Sequence, residues 1–155
     1  MFNIGLESIL KNGQIYIGAV QGESMLPILH PVKDHVKIIP LNSPPHKNDI
    51  VLYRRISGQY VLHRVVSLKN NAYVMRGDHQ YKNEYPIATD MCIGLLQGYW
   101  KNAGTSKEKY ISVSSFYHRG YSFIWRVSYP IRYCIRYLRA VLSALIHKFT
   151  RRNRS

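Results

Sequence analysis

The chain has 155 residues, 46% of them hydrophobic, which is enough apolar matter for one domain's core and excludes a generally disordered protein. Its formal net charge is +14, from 22 Lys/Arg against 8 Asp/Glu, so polyanions are favoured over cationic partners. Two cysteines, Cys92 and Cys134, make neither a disulfide framework nor a metal-ligand spacing; a reducing compartment, no metal and no cofactor are expected.

In chain order, the opening MFNIGLESILKNG lacks the basic start and apolar run of a signal peptide, and no membrane anchor is expected ahead of the body. Within it, LESILK reads as a short helix stopped at Asn12-Gly13. QIYIGAV is rich in β-branched and aromatic residues and reads as a strand that runs into QGESMLP. HVKIIPL alternates and reads as extended, while NSPPHKND is a turn, because consecutive prolines cannot sit inside a ladder. IVLYRR and YVLHRVVSL, joined by ISGQ, read as a hairpin; KNN marks a turn before the strand AYVMRG. MCIGLLQGYWKN and YISV, with Gly104 in the turn between them, complete the series. Short strands at turn-marked intervals predict a compact, mainly β body over residues 1–113.

Residues 114–155 differ in texture and are predicted as a basic helical extension. Residues 1–100 hold ten Lys/Arg against seven acids, whereas residues 101–155 hold twelve against Glu108 alone. Pro130 suits a first helical turn, after which Ile131, Ile135, Leu138, Leu142, Leu145 and Phe149 recur at spacings of four and three. That is one apolar stripe, with Arg132, Arg136, Arg139, Ser143 and His147 on an opposing side. Two readings stand. In one, the helix docks on the body with its basic face in water. In the other, residues 128–155 lie on an anionic membrane, with Tyr117, Tyr121, Trp125, Tyr129, Tyr133 and Tyr137 leading in and HKFTRRNRS closing. Nucleic acid ranks below both, because no recognised binding motif accompanies the charge. No apolar run approaches the roughly 20 residues that span a bilayer, so a cytoplasmic location is expected, at the inner face of the cell membrane if peripheral.

Chemistry is concentrated in QGESMLP. A serine held between a flexible glycine and a rigid proline, with Met25 and Leu26 beside it, fits a loop folded onto the core and fits a positioned nucleophile. A serine hydroxyl needs a base. His63, in the second strand of the hairpin, has an ordinary pKa suited to that task near neutral pH. Asp78 follows Gly77 at a strand end, where a carboxylate would orient the imidazole. Each has a plainer reading: a structural loop serine, a half-buried strand histidine, and an aspartate that caps a turn.

The segments GESMLP, NDIVLYRR, YVLHRVV, RGDHQ and IGLLQGYWKNAG occur in the order of the boxes of the signal peptidase I and SOS-repressor superfamily of serine peptidases, which the chain resembles over residues 15–105. Gly22, Ser24, Met25 and Pro27 are similar to its nucleophile box, and Asp49-Ile50-Val51 to its Gly-Asp-Ile-Val box, with Asn48 in the glycine's place. Leu62-His63-Arg64-Val65 resembles the base box of the histidine-type, endoplasmic-reticulum and archaeal enzymes, and Gly77-Asp78 the Gly-Asp box. Small bacterial relatives without a membrane anchor before the serine are similar in layout. The resemblance implies coiled antiparallel sheets and a serine endopeptidase acting on an extended peptide segment of a protein or precursor. In that reading Ser24, His63 and Asp78 are catalytic, and Gly22, Glu23, Met25 and Pro27 shape the oxyanion and substrate site. The alternative is a non-catalytic member of the same fold that binds peptide and is carried to an anionic surface by its basic tail.

Overall fold

The computed structural model describes residues 5–152, with the side chains of Ala140 and of residues 144–152 outside that description. The chain divides into two units, Met1–Arg119 and Gly120–Ser155.

The first unit opens with helix α1 (Gly5–Lys11) and continues as eight strands: β1 (Tyr16–Ala19), β2 (His35–Pro40), β3 (Ile50–Arg54), β4 (Tyr60–Lys69), β5 (Ala72–Arg76), β6 (Glu84–Ile87), β7 (Cys92–Lys101) and β8 (Lys109–Ser112). All form one antiparallel sheet in the order β1-β2-β7-β3-β4-β5-β6, with β8 paired to β7. The expectation of several sheets gives way to one long sheet with interrupted pairing. Register slips occur between Lys37 and Ile38, Leu52 and Tyr53, Val65 and Ser67, and Tyr73 and Met75. Each such bulge bends its strand and adds twist, which lets a single sheet coil around its own side chains.

The core follows from the alternation. Val51 and Tyr53 of β3, Val61 and Val65 of β4, Tyr73 and Met75 of β5, Ile87 and Cys92 pack into one buried cluster. His63 lies between Val61 and Val65 on β4 and therefore faces the same side. Tyr53 pairs with Val61, and His63 is two residues further along the partner strand, so the two rings meet on a diagonal at 5.9 Å between centroids.

Helix α2 (Phe116–Val127) lies within residues 114–155, the stretch predicted as helical, ahead of the apolar stripe read after Pro130. Helix α3 (Tyr129–Arg152) begins one residue ahead of Pro130. The stripe residues Leu145 and Phe149, together with His147, fall outside the described side chains. Among the described residues no helix is long and apolar enough to cross a membrane.

Candidate active site

The loop after β1 is shaped by its glycine and held by its apolar residues. Gly22 takes φ +75°, a conformation that costs a residue with a Cβ. Met25, Ile28 and Leu29 are buried, and the Leu29 N–H donates to Met25 O at 3.0 Å. Farther along, Asp34 ties the loop to the end of β7: its carboxylate accepts from the His30 N–H at 2.7 Å, from Lys101 Nζ at 2.7 Å and from the Asn102 N–H at 3.1 Å. Lys101 Nζ also donates to Ile28 O at 2.8 Å. Burial would raise the Asp34 pKa, but these donors outweigh it and hold the carboxyl below its ordinary value. Ser24 therefore sits half-buried in a loop pinned at both ends.

Ser24 and His63 converge on Gly77. A Cβ at Gly77 would lie 2.5 Å from Ser24 O, 3.0 Å from Ser24 Cβ and 3.0 Å from His63 Nε2. Both side-chain atoms are thus within 3.0 Å of one point, which limits their separation to at most twice that. The His79 N–H donates to Ser24 O at 2.8 Å, which ties the loop after β5 to the serine. A cleft of about 290 Å³ is lined by Gly22, Glu23, Ser24, Met25, Arg55 and His63, among others. Pro27 is exposed and does not line it. The Ser24 N–H meets no acceptor among the described residues.

The tautomer of His63 follows from its neighbours. Tyr53 Oη donates to Glu84 Oε2 at 2.8 Å, so its lone pairs face His63 Nδ1, 3.1 Å away. Nδ1 must then carry the proton and donate to Tyr53, with Glu84 Oε1 also near at 3.4 Å. That leaves Nε2 as the lone-pair nitrogen. It is buried, has no hydrogen-bond partner among the described residues, and lies on the Ser24 side. Arg55 completes the chain, donating through Nε to Glu84 Oε2 at 2.8 Å and through Nη2 to Oε1.

Burial pushes the His63 pKa down to about 4; Glu84 opposes this, Arg55 adds to it, and Asp78 opposes it. Burial also acts to raise the Glu84 pKa, but hydrogen bonds from Arg55 and Tyr53 prevail and keep it below the ordinary value. The resting state is a neutral imidazole beside an ionised carboxylate already partnered by arginine. A proton taken up at Nε2 would be stabilised by the Glu84 carboxylate near Nδ1, an effect that the Arg55 charge opposes.

Asp78 does not occupy the orienting position expected of it. Its carboxylate accepts from Arg64 Nε at 2.8 Å and from Arg64 Nη2 at 2.7 Å, a buried bidentate pair. Arg64 follows His63 and so faces the opposite side of β4, where it meets Asp78 in the turn just past the end of β5. The groups at Nδ1, Tyr53 and Glu84, come from β3 and β6, and neither carries a local motif. Glu84→Gln is expected to slow Ser24-dependent turnover by about 10²-fold. It should also move the acid limb of the pH–rate profile to lower pH, because Glu84 supports the protonated imidazole. A merely structural role for Glu84 would leave that limb in place.

Comparison with known proteins finds no matching family model, no matching curated protein and no matching solved structure, so the cleft is read from its own geometry.

Proposed function

We propose that the chain is a serine endopeptidase of the signal-peptidase type, with Ser24 as nucleophile and His63 as base. The observation that carries the reading is a buried Nε2 with no hydrogen-bond partner among the described residues, within 3.0 Å of the same point at Gly77 as Ser24 Cβ, while Nδ1–H is held by Tyr53. His63 Nε2 takes the hydroxyl proton as Ser24 Oγ bonds to the peptide carbonyl carbon. The imidazolium then gives that proton to the leaving amine as the C–N bond breaks; water, deprotonated by the same nitrogen, attacks the acyl carbon, and the proton passes to Ser24 Oγ as its bond to the acyl group breaks. Tyr53 and Glu84 act as positioning residues.

Two further observations support the family reading. Asn48, which stands where the family has glycine, adopts φ +82°, a region that asparagine tolerates best after glycine. Gly77, in the Gly-Asp box, allows an approach that any side chain would block. The resemblance implies an extended substrate with small residues before the cleaved bond. A library of such peptides incubated with the parent chain and with Ser24→Ala is expected to yield products only with the parent. Products that persist in Ser24→Ala, or their absence from both, would count against the assignment.

A further inference from the structure

The unit Gly120–Ser155 carries an apolar helix face in the open. On α3, Ile131, Ile135, Leu138 and Leu142 fall within one narrow arc of a 3.6-residue helix, and each is between 45% and 64% exposed. Arg132, Arg136 and Arg139 share the adjacent arc, giving the stripe a cationic flank. The junction with the preceding helix is fixed within the unit: the Arg132 guanidinium carbon lies 3.4 Å from the Trp125 ring centroid, and Nη2 donates to Trp125 O at 2.6 Å.

Charge decides what covers this face. After Glu108 the chain contains no acidic residue. Pairing with the same helix of a second copy would set one arginine flank against another, with no acidic side chain in residues 120–155 to answer it. Nucleic acid would satisfy the arginines and leave the apolar stripe in water. An anionic bilayer surface answers both, since acyl chains receive the stripe while the arginine stems reach outward to the phosphates.

We propose that α3 lies in the headgroup plane of an anionic lipid bilayer, with Ile131, Ile135, Leu138 and Leu142 toward the acyl chains and Arg136 and Arg139 toward the lipid phosphates. The docking is independent of chemistry at Ser24.

Cys134 supplies the reporter. It is exposed, whereas Cys92 is buried and its thiol is pushed up to about 11 by that burial. The full chain, carrying an environment-sensitive fluorophore on Cys134, is titrated with phosphatidylglycerol–phosphatidylcholine vesicles and with phosphatidylcholine alone. A blue shift is expected with the anionic vesicles, weakened by salt and absent with phosphatidylcholine. Arg136→Gln together with Arg139→Gln should weaken binding about 25-fold, at about fivefold per charge removed. Leu138→Asp should abolish the shift, and Ser24→Ala should bind as the parent does. No shift on anionic vesicles, an equal shift on phosphatidylcholine, or indifference to the arginine changes would overturn the proposal. So would lipid-free dimerisation lost in Leu138→Asp, or tighter binding to duplex DNA that Leu138→Asp leaves unchanged.

Discussion

Replacing His63 by glutamine is expected to slow acylation of Ser24 on the order of 10⁴-fold while the chain stays folded. Glutamine can keep a donor toward Tyr53 Oη, but it offers no basic lone pair to Ser24. The effect on the fold should be small, because Nε2 makes no hydrogen bond among the described residues that the substitution would break. The pH dependence gives an independent check. With the His63 pKa lowered to about 4 by burial, the base is already neutral at pH 6. The acid limb of the parent's rate should therefore lie near pH 4 and not near the ordinary histidine value. Stability moves in the same direction. Between pH 6.5 and about 4 the unfolded chain binds a proton at His63 that the folded chain refuses, so stability falls as pH falls through that window. His118, also lowered to about 4 by burial, adds a second contribution of the same sign. Urea midpoints between pH 7 and pH 4.5 should drop in the parent and drop less in His63→Gln. A midpoint slope unchanged by the substitution would show that His63 titrates alike in both states.

Gly77→Ala is the second large effect. The new methyl would stand 2.5 Å from a backbone carbonyl oxygen, Ser24 O, and 3.0 Å from both Ser24 Cβ and His63 Nε2. Backbone cannot rotate aside as a long side chain can, so the loop after β5 and the Ser24 loop must separate, stretching the His79 N–H to Ser24 O bond. A displacement of about 1 Å between nucleophile and base is enough to cost about 10²-fold in rate. Ser24-dependent turnover should fall at least that far, with a stability loss of about 1–3 kcal/mol from overpacking and backbone shift. The measurement is turnover beside a denaturant curve. An alanine variant that turns over at the parent's rate would mean that Ser24 and His63 need not meet at Gly77.

How far these features can be read from residues alone varies by element, for physical reasons. The β3–β4 hairpin is legible because two runs of β-branched and aromatic residues flank a Ser-Gly turn, and Gly58 indeed takes φ +84°. The Ser24 loop is legible through Gly22, whose positive φ needs glycine, and through Met25, which is buried as an anchor should be. Helix α2 lies inside the stretch predicted as helical, but its bounds are hard to read, since FYHRGYSFIWRV places glycine at its centre and is built largely from aromatic and β-branched residues of modest helix propensity. Glu84 escapes for a different reason. Strand β6 is only EYPI, with a proline inside it, and its carboxylate reaches His63 through pairing with β5, which no spacing along the chain encodes. Asp78 misleads because its place after glycine suggests a role, whereas Arg64, on the opposite side of β4 from His63, takes its carboxylate. Tyr53 reads as core and is core; its hydroxyl alone gives it a second task.

The most direct single measurement is labelling of the chain by a serine-directed fluorophosphonate, followed by intact mass and peptide mapping across pH. One adduct is expected, on Ser24, absent in Ser24→Ala and greatly slowed in His63→Gln. Its rate should stay level from about pH 8 to about pH 5.5 and decline toward pH 4, as the lowered His63 value requires. Absence of an adduct at Ser24, or labelling there that His63→Gln leaves unchanged, would contradict Ser24 and His63 as nucleophile and base.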